Sequence, residues 1–392
     1  MHHLKQYENQ YPQTVNTIRH GLYVDDMIFS AQDAIEVETI KQQCKTIFED
    51  ASMKLRKWRT SDSELNKQWD DELAESKVLG MEWTDEDHLQ ITIPNLNLDE
   101  PLTKRNLMSF FASIYDPFGL ILATTLNMKL LIHEAWMKGF DWDDQLPDKF
   151  QRKVMKVVTE IHKLKSFTFP RFIFKQAADH YDLAIFVDAS QNAIGIAAYV
   201  CDNSTLSLVY AKSKLIKHRK IVTGELLALS YGANVATTLK EMINPQRTIL
   251  YSDSMDNVKR LEEDINKYPY PVAVHLYNIK TKIKEVRHIR GDCNPADAFT
   301  RGVSADQLSK LHRIDPNEIF TDHEISVMVT TNNETKTLSY DMSDIDINRE
   351  MDYENWIKLI DDKASDWKKS IDINENRIHK RRNEKDNTDV PR

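Results

Sequence analysis

The stretch "DLAIFVDASQNAIGIAAYVCD", residues 182–202, decides the fold. Two runs rich in apolar and β-branched residues stand on either side of turn-forming residues, so it reads as two successive strands. A third such run, "LSLVYAKSK", follows. Next comes an amphipathic helix in "TGELLALSYGANVATTLKEMI" and a strand in "RTILYSD". A short helix "SMDNVKRLEED", a helix around "HLYNIKTKI", a strand "EVRHIR" and a last helix from "NPADAFTRG" complete the section. This order of elements predicts an α/β domain with a mixed sheet over residues 181–302.

Upstream, "NTIRHGLYV" and "MIFSA" read as strands flanking Asp25 and Asp26, and "AIEVETIKQQCKTIFEDASM" as a helix. "KVLGMEW" and "HLQITI" are short strands before Pro94 and Pro101. Residues 103 to about 165 have a helical pattern broken at Asp116-Pro117, and Pro170 closes it. After 303 the chain turns polar and acidic, and it reads as a linker with little core of its own.

The net charge of −9 hides an asymmetry. Residues 303–392 hold fourteen basic and twenty acidic groups, whereas 182–302 hold sixteen basic and thirteen acidic. The section that looks like a folded α/β domain can therefore face a polyanion. No apolar run approaches the roughly 20 residues that span a bilayer, so no membrane partner is expected. Cys44, Cys201 and Cys293 are few, odd in number and far apart, which argues against a disulfide framework and for a reducing compartment.

Four acids stand where side chains converge in open α/β sheets, at strand carboxyl ends and adjacent helix starts. Asp188 ends the first strand, Glu225 lies in the first turn of "GELLAL", Asp253 ends the fourth strand, and Asp297 opens the last helix. Each alone reads more readily as a turn residue, a helix cap or a solvated first-turn acid. Together they would repel one another unless divalent cations neutralised them, and oxygen-only sites of this kind favour Mg²⁺. That arrangement suits two-metal hydrolysis of a phosphodiester. "KSKLIKHRK" places Lys212, Lys214, Lys217, Arg219 and Lys220 before Glu225, while Arg290 precedes Asp297. Such a run is either a solvated loop or a phosphate-tracking surface. Asn192 is a candidate polar contact.

With these motifs in view, the chain resembles the pol polyprotein of BEL/Pao-type LTR retrotransposons over about residues 10–302. "YVDD" is similar to the paired-aspartate motif of a polymerase, and "LRKW" and "KVLGMEW" to the palm segments after it. "LTKRNLMSFFASIYDPFGLILATTLNMKLLIHEAW", with "FDWDDQLP" and "FPR", is similar to the family's connecting region. "FVDAS", "ELLAL", "YSDS" and "NPADAFTRG" resemble ribonuclease H motifs. The resemblance implies the end of a reverse transcriptase palm at 1–82 and a largely helical connecting region at 83–180. It further implies a ribonuclease H-like domain with a mixed five-stranded sheet at 181–302, and an acidic linker toward an integrase at 303–392. It implies two Mg²⁺ ions, with Mn²⁺ as a substitute, held by Asp188, Glu225, Asp253 and Asp297 for cleaving the RNA strand of an RNA–DNA hybrid.

Two departures from the family pattern stand out. "IVTG" replaces the Pro-Arg pair usual before Glu225, and His288 lies near the place of a product-release histidine but on a predicted strand. Asp25 and Asp26 mark a polymerase motif, yet only Glu8 is acidic among the residues before it, so polymerase activity is expected to be lost by truncation. The connecting region carries the peptidase A17 label in this family, but neither Asp-Thr-Gly nor Asp-Ser-Gly occurs, and Asp116 reads as a turn or helix-start residue. Expected partners are the hybrid and the rest of the polyprotein, with its upstream palm and fingers and downstream integrase. The expected location is a cytoplasmic virus-like particle with access to the nucleus. The alternative is an inactive or co-opted fragment that binds nucleic acid or protein without cleaving.

Overall fold

The computed structural model describes residues 2–23, 26–69, 77–97, 100–173, 180–202, 204–216, 221–320 and 326–328. The segment expected as a strand over "NTIRHGLYV" is mostly helical: α1 spans Pro12–Gly21. Pro12 supplies a pre-set first turn. Val15 and Ile18, three apart, pack with Ile40, Cys44 and Ile47 of α2 (Ala34–Asp50). Strand character survives only in β1 (Leu22–Tyr23), paired antiparallel with β2 (Asp26–Met27). After α3 (Ser63–Gln68) come β3 (Lys77–Val78), β4 (Met81–Trp83) and β5 (His88–Gln90), which share an antiparallel sheet with β6 (Thr168–Pro170). Between β5 and β6 lie three helices, α4 (Lys104–Ala112), α5 (Leu122–Met137) and α6 (Asp148–His162), as their periodicity predicts.

The main sheet holds β7 (Asp182–Ala189), β8 (Ala193–Cys201) and β9 (Leu206–Leu215) as an antiparallel meander. The chain then forms α7 (Ile221–Ile243), β10 (Thr248–Ser252), α8 (Met255–Arg260), α9 (Tyr270–Lys282), β11 (Glu285–His288) and α10 (Ala298–Arg301). β10 pairs parallel to β7, and β11 parallel to β10. The central order β9-β8-β7-β10-β11 is the expected mixed five-stranded sheet.

Both faces of this sheet are covered, which is why its strands read as near-continuous apolar runs. Leu183, Ile185 and Val187 of β7 face Leu229, Ala233 and Leu276 of α7 and α9. Close contact there depends on Gly232, where a Cβ would stand 2.5 Å from Val187 Cγ1. Ala184 and Phe186 face the opposite way and join one core with Leu107, Ile121 and Leu131 of the three-helix region.

Residues 304–320 depart from the linker expectation, which for 329–392 lies outside the described residues. There α11 (Ala305–His312), β12 (Arg313–Ile314) and α12 (Pro316–Ile319) bury Leu308, Ile314 and Ile319 in the same core. The acidic average of the tail conceals these spaced apolar residues. β12 extends the sheet beside β9, and β13 (Ser326–Met328) extends it beside β11, giving seven strands. No helix among the described residues is long and apolar enough to cross a membrane.

The three-helix region meets the sheet edge at the "DPFG" turn. Asp116 accepts hydrogen bonds from the Leu120 and Ile121 amides at 2.8 and 2.9 Å, the turn role expected for it. The Phe118 carbonyl accepts from the Ala211 amide of β9 at 2.8 Å. Burial raises the Asp116 carboxyl to about 6, outweighing the amides of residues 119–121, which pull it down. Its folded value thus lies above the unfolded one, so its stabilising contribution is whole below pH ~4 and is lost as pH rises through about 6. Asp116→Asn should therefore gain on the parent by roughly 2 kcal/mol between pH ~4 and pH ~7. Urea unfolding at the two pH values measures this, and a constant gap would show an ordinary carboxyl.

Candidate active site

Each acid is delivered by a different element. Asp188 is the penultimate residue of β7, Asp253 follows the last residue of β10, and Asp297 is the N-cap of α10. Glu225 is the fifth residue of α7, not a first-turn residue as expected. The absence of proline in "IVTG" lets the helix begin further upstream.

The approach of α10 to the sheet depends on Gly195. Asp188, Gly195 and Ser213 are cross-strand partners on adjacent strands and form one rung. A Cβ on Gly195 would lie 2.8 Å from both the Ala296 carbonyl oxygen and Thr300 Cγ2. With no Cβ there, the Ser213 hydroxyl donates to the Phe299 carbonyl and the Thr300 hydroxyl donates to Asp188 at 2.6 Å. Asn294 anchors the same segment, donating to the Val187 carbonyl at 2.9 Å and accepting from the Ala296 amide at 3.1 Å.

The electrostatics show that the four carboxylates share one environment. Burial, followed by the charges of Asp188 and Glu225 and then by Asp297, raises Asp253 to about 6. Burial also raises Asp188, against the Thr300 hydrogen bond that favours its charged form, and Asp297 adds to the rise. Glu225 accepts from the Ser254 hydroxyl, which in turn accepts from Asn257 Nδ2 at 2.8 Å. Asp297 pairs with Arg301, whose guanidinium also feels Asp188 and Asp253.

Asp253 Oδ1 is buried and has no hydrogen-bond partner among the described residues. A buried carboxylate oxygen without a donor is costly, and an oxygen-only set around it has the chemistry that a hydrated Mg²⁺ favours. An oxygen-only set of this kind has donors of the right chemistry for a divalent cation, and Asp188, Glu225, Asp253 and Asp297 are the groups that would hold it. In their present rotamers, no three His, Cys, Asp or Glu groups among the described residues are gathered as ligands. Asp188, Glu225 and Asp297 each turn to a local donor instead.

The expected basic contacts divide. Lys212 is exposed on β9 and Asn192 is exposed in the turn between β7 and β8. Lys214 lies over the Tyr231 ring, 4.4 Å from its centroid, and donates to its hydroxyl. Arg290 is exposed and forked onto Asp292. Lys217, Arg219, Lys220 and Asp25 lie outside the described residues, while Asp26 is exposed on β2. His288 is on β11, opposite Ser252. Sequence reasoning missed Ser254, Asn294 and Thr300. Their signal was small polar residues inside the acid motifs "YSDS" and "NPADAFTR".

Gly195→Ala should force α10 off β8 and lower stability by roughly 1–3 kcal/mol through overpacking. Chemical denaturation checks this, and an unchanged midpoint would show that residues 296–300 do not rest on Gly195.

Comparison with known proteins agrees with the family expectation. Residues 103–254 match the family model described as "Pao retrotransposon-like RNaseH-like domain". No curated protein sequence matches the chain. Among solved structures, a foamy viral protease-reverse transcriptase in complex with dsDNA is 14% identical, with a TM-score of 0.44 over 73% of this chain and 58% of that one. A foamy viral protease-reverse transcriptase in complex with RNA/DNA hybrid is 15% identical, with a TM-score of 0.42 over 68% of this chain and 35% of that one. RNase H1 from Halobacterium salinarum is 14% identical, with a TM-score of 0.23 over 31% of this chain and 93% of that one. The chain thus spans about a third to three fifths of these foamy viral chains. At such scores the likenesses add no weight, and the fold assignment rests on the strand order and the family match. Over residues 103–254 the chain is therefore similar to the Pao retrotransposon-like RNaseH-like domain family.

Proposed function

We propose that this chain is a metal-dependent endonuclease of the ribonuclease H type, cleaving the RNA strand of RNA–DNA hybrids within a retrotransposon pol polyprotein. The observation that carries this reading is the unpartnered buried Oδ1 of Asp253, set among Asp188, Glu225 and Asp297. Asp188, Glu225, Asp253 and Asp297 would hold magnesium, or manganese in its place, which would supply Lewis acidity for an attacking water and charge stabilisation for the leaving oxygen. Thr300 and Ser254 orient Asp188 and Glu225, and Arg301 holds Asp297. Lys212 and Arg290 hold the phosphate backbone, the latter by exchanging its exposed Asp292 partner, since surface ion pairs are worth little. Asn192, exposed after the first acid, offers a polar contact to a 2′-hydroxyl.

In this reading the upstream palm and fingers and the downstream integrase of the polyprotein are partners, in a cytoplasmic particle with access to the nucleus. Asp25 and Asp26 take no part in the chemistry proposed here, and DNA polymerisation is not assigned to this chain. A second reading, a module that binds nucleic acid without cleaving, is favoured by one observation. Asp188, Glu225 and Asp297 already have partners within the protein.

Incubating the full chain with a labelled RNA–DNA hybrid, with and without Mg²⁺, separates the two. We expect metal-dependent cleavage that Asp253→Asn lowers on the order of 100-fold or more while hybrid binding persists. Equal inactivity of parent and variant in Mg²⁺ and Mn²⁺ would sink the enzyme reading and leave the binding module.

A further inference from the structure

We infer that Lys129 of α5 and Lys212 of β9 form a phosphodiester-binding site at the outer edge of β9, so that the connecting helices help to hold the substrate. This rests on the nucleic-acid reading above and adds to it a residue from outside the α/β section.

Lys129 Nζ donates to the Ser213 carbonyl at 2.8 Å. The Ala211 amide of the same strand is taken by the Phe118 carbonyl, so this edge of β9 faces the connecting region. A lysine that covers a strand edge has an ordinary role in blocking further pairing. Two features go beyond that role. Lys129 is largely removed from water, and among the described residues no carboxylate pairs with it, so its three donors meet a carbonyl where an acid would be expected. Lys212 adds a second positive charge nearby, also without an acid partner among the described residues, and the two repel. Burial and this repulsion together lower the Lys129 ammonium to about 8. A like-charge pair so placed is costly by itself, and a bound anion relieves it.

The position identifies the anion. Ser213 shares its rung with Gly195 and Asp188, so the carbonyl that holds Lys129 is two strand spacings, roughly 10 Å, from Asp188. β9 and β7 are both antiparallel to β8 and therefore run the same way, so their carboxyl ends emerge on one side. A polymer whose scissile phosphate lies at Asp188 presents further phosphates at that range, whereas a free phosphate would gain nothing from the neighbouring cluster.

The test uses the full chain carrying Asp253→Asn, so that the hybrid stays intact, and measures hybrid affinity by anisotropy between about 50 and 200 mM salt. Lys129→Met and Lys212→Met should each lower the slope of log affinity against log salt by about 0.9, which amounts to about 3.5-fold less loss over that range. Lys129→Arg should keep the parent slope. Lys129→Met should melt at or above the parent temperature, because removing an unpaired buried charge relieves its cost. Lys212 is exposed, so its variant carries the test even if Lys129→Met folds poorly. A parent that binds while both variants keep its slope overturns this inference alone. A parent that binds no hybrid overturns both this and the proposed function. If inorganic phosphate raises the melting temperature of the parent but not of Lys129→Met, with slopes unchanged, the site takes free phosphate only and the inference fails.

Discussion

Asn294 reaches the Val187 carbonyl one residue before Asp188, and the Ser213 hydroxyl reaches the Phe299 carbonyl two strands away. Between these anchors, Gly195 leaves room for the backbone of residues 296–299 to lie on β8. This seating of one short segment across three strands puts Asp297 beside Asp188 and brings Thr300 and Arg301 with it. It also removes water from the carboxyl end of β7, where Asp188 is only 6% exposed. The electrostatic character of the site follows from that packing.

Concentrating four acids at one partly dehydrated corner is unfavourable, and the protein offsets the cost unequally. Asp188 has the Thr300 hydroxyl, Glu225 the Ser254 hydroxyl and Asp297 the Arg301 guanidinium. Asp253 has one buried oxygen with no donor among the described residues and takes the rise that burial and its neighbours impose. The asymmetry marks Asp253 as the residue whose charge the fold leaves uncompensated. Ser254 and Asn257, held in turn by Arg260, form the supporting layer under Glu225.

The connecting helices belong to the same core as the sheet. Leu107, Ile121 and Leu131 pack with Ala184, Phe186 and Tyr199, while α7 and α9 cover the other face. Phe186 stacks on Tyr251 at 4.8 Å and meets Tyr199 edge-on at 5.6 Å, tying three neighbouring strands together on the side of the connecting helices. The residue range of the family match, which runs through both regions, is consistent with this shared core.

Much of the fold was legible in the residues themselves. Strand and helix periodicities are local, so β7 to β11, α2 and the three connecting helices could be read from residue spacing alone. The α1 segment was misread because its strand-like residues obscured the Pro12 start and the Val15–Ile18 spacing. Residues 305–320 were misread because an average over an acidic tail hides spaced apolar side chains. Of the site, the sequence by itself determined the four acids, their order and the elements that carry them. Only the tertiary structure decided the rung Asp188–Gly195–Ser213, the Thr300 and Ser254 donors, and the meeting of Lys129 with Lys212 across 83 positions. The physical reason is that hydrogen bonds, dehydration and charge repulsion depend on distance in space, and folding sets that distance between residues far apart in the chain.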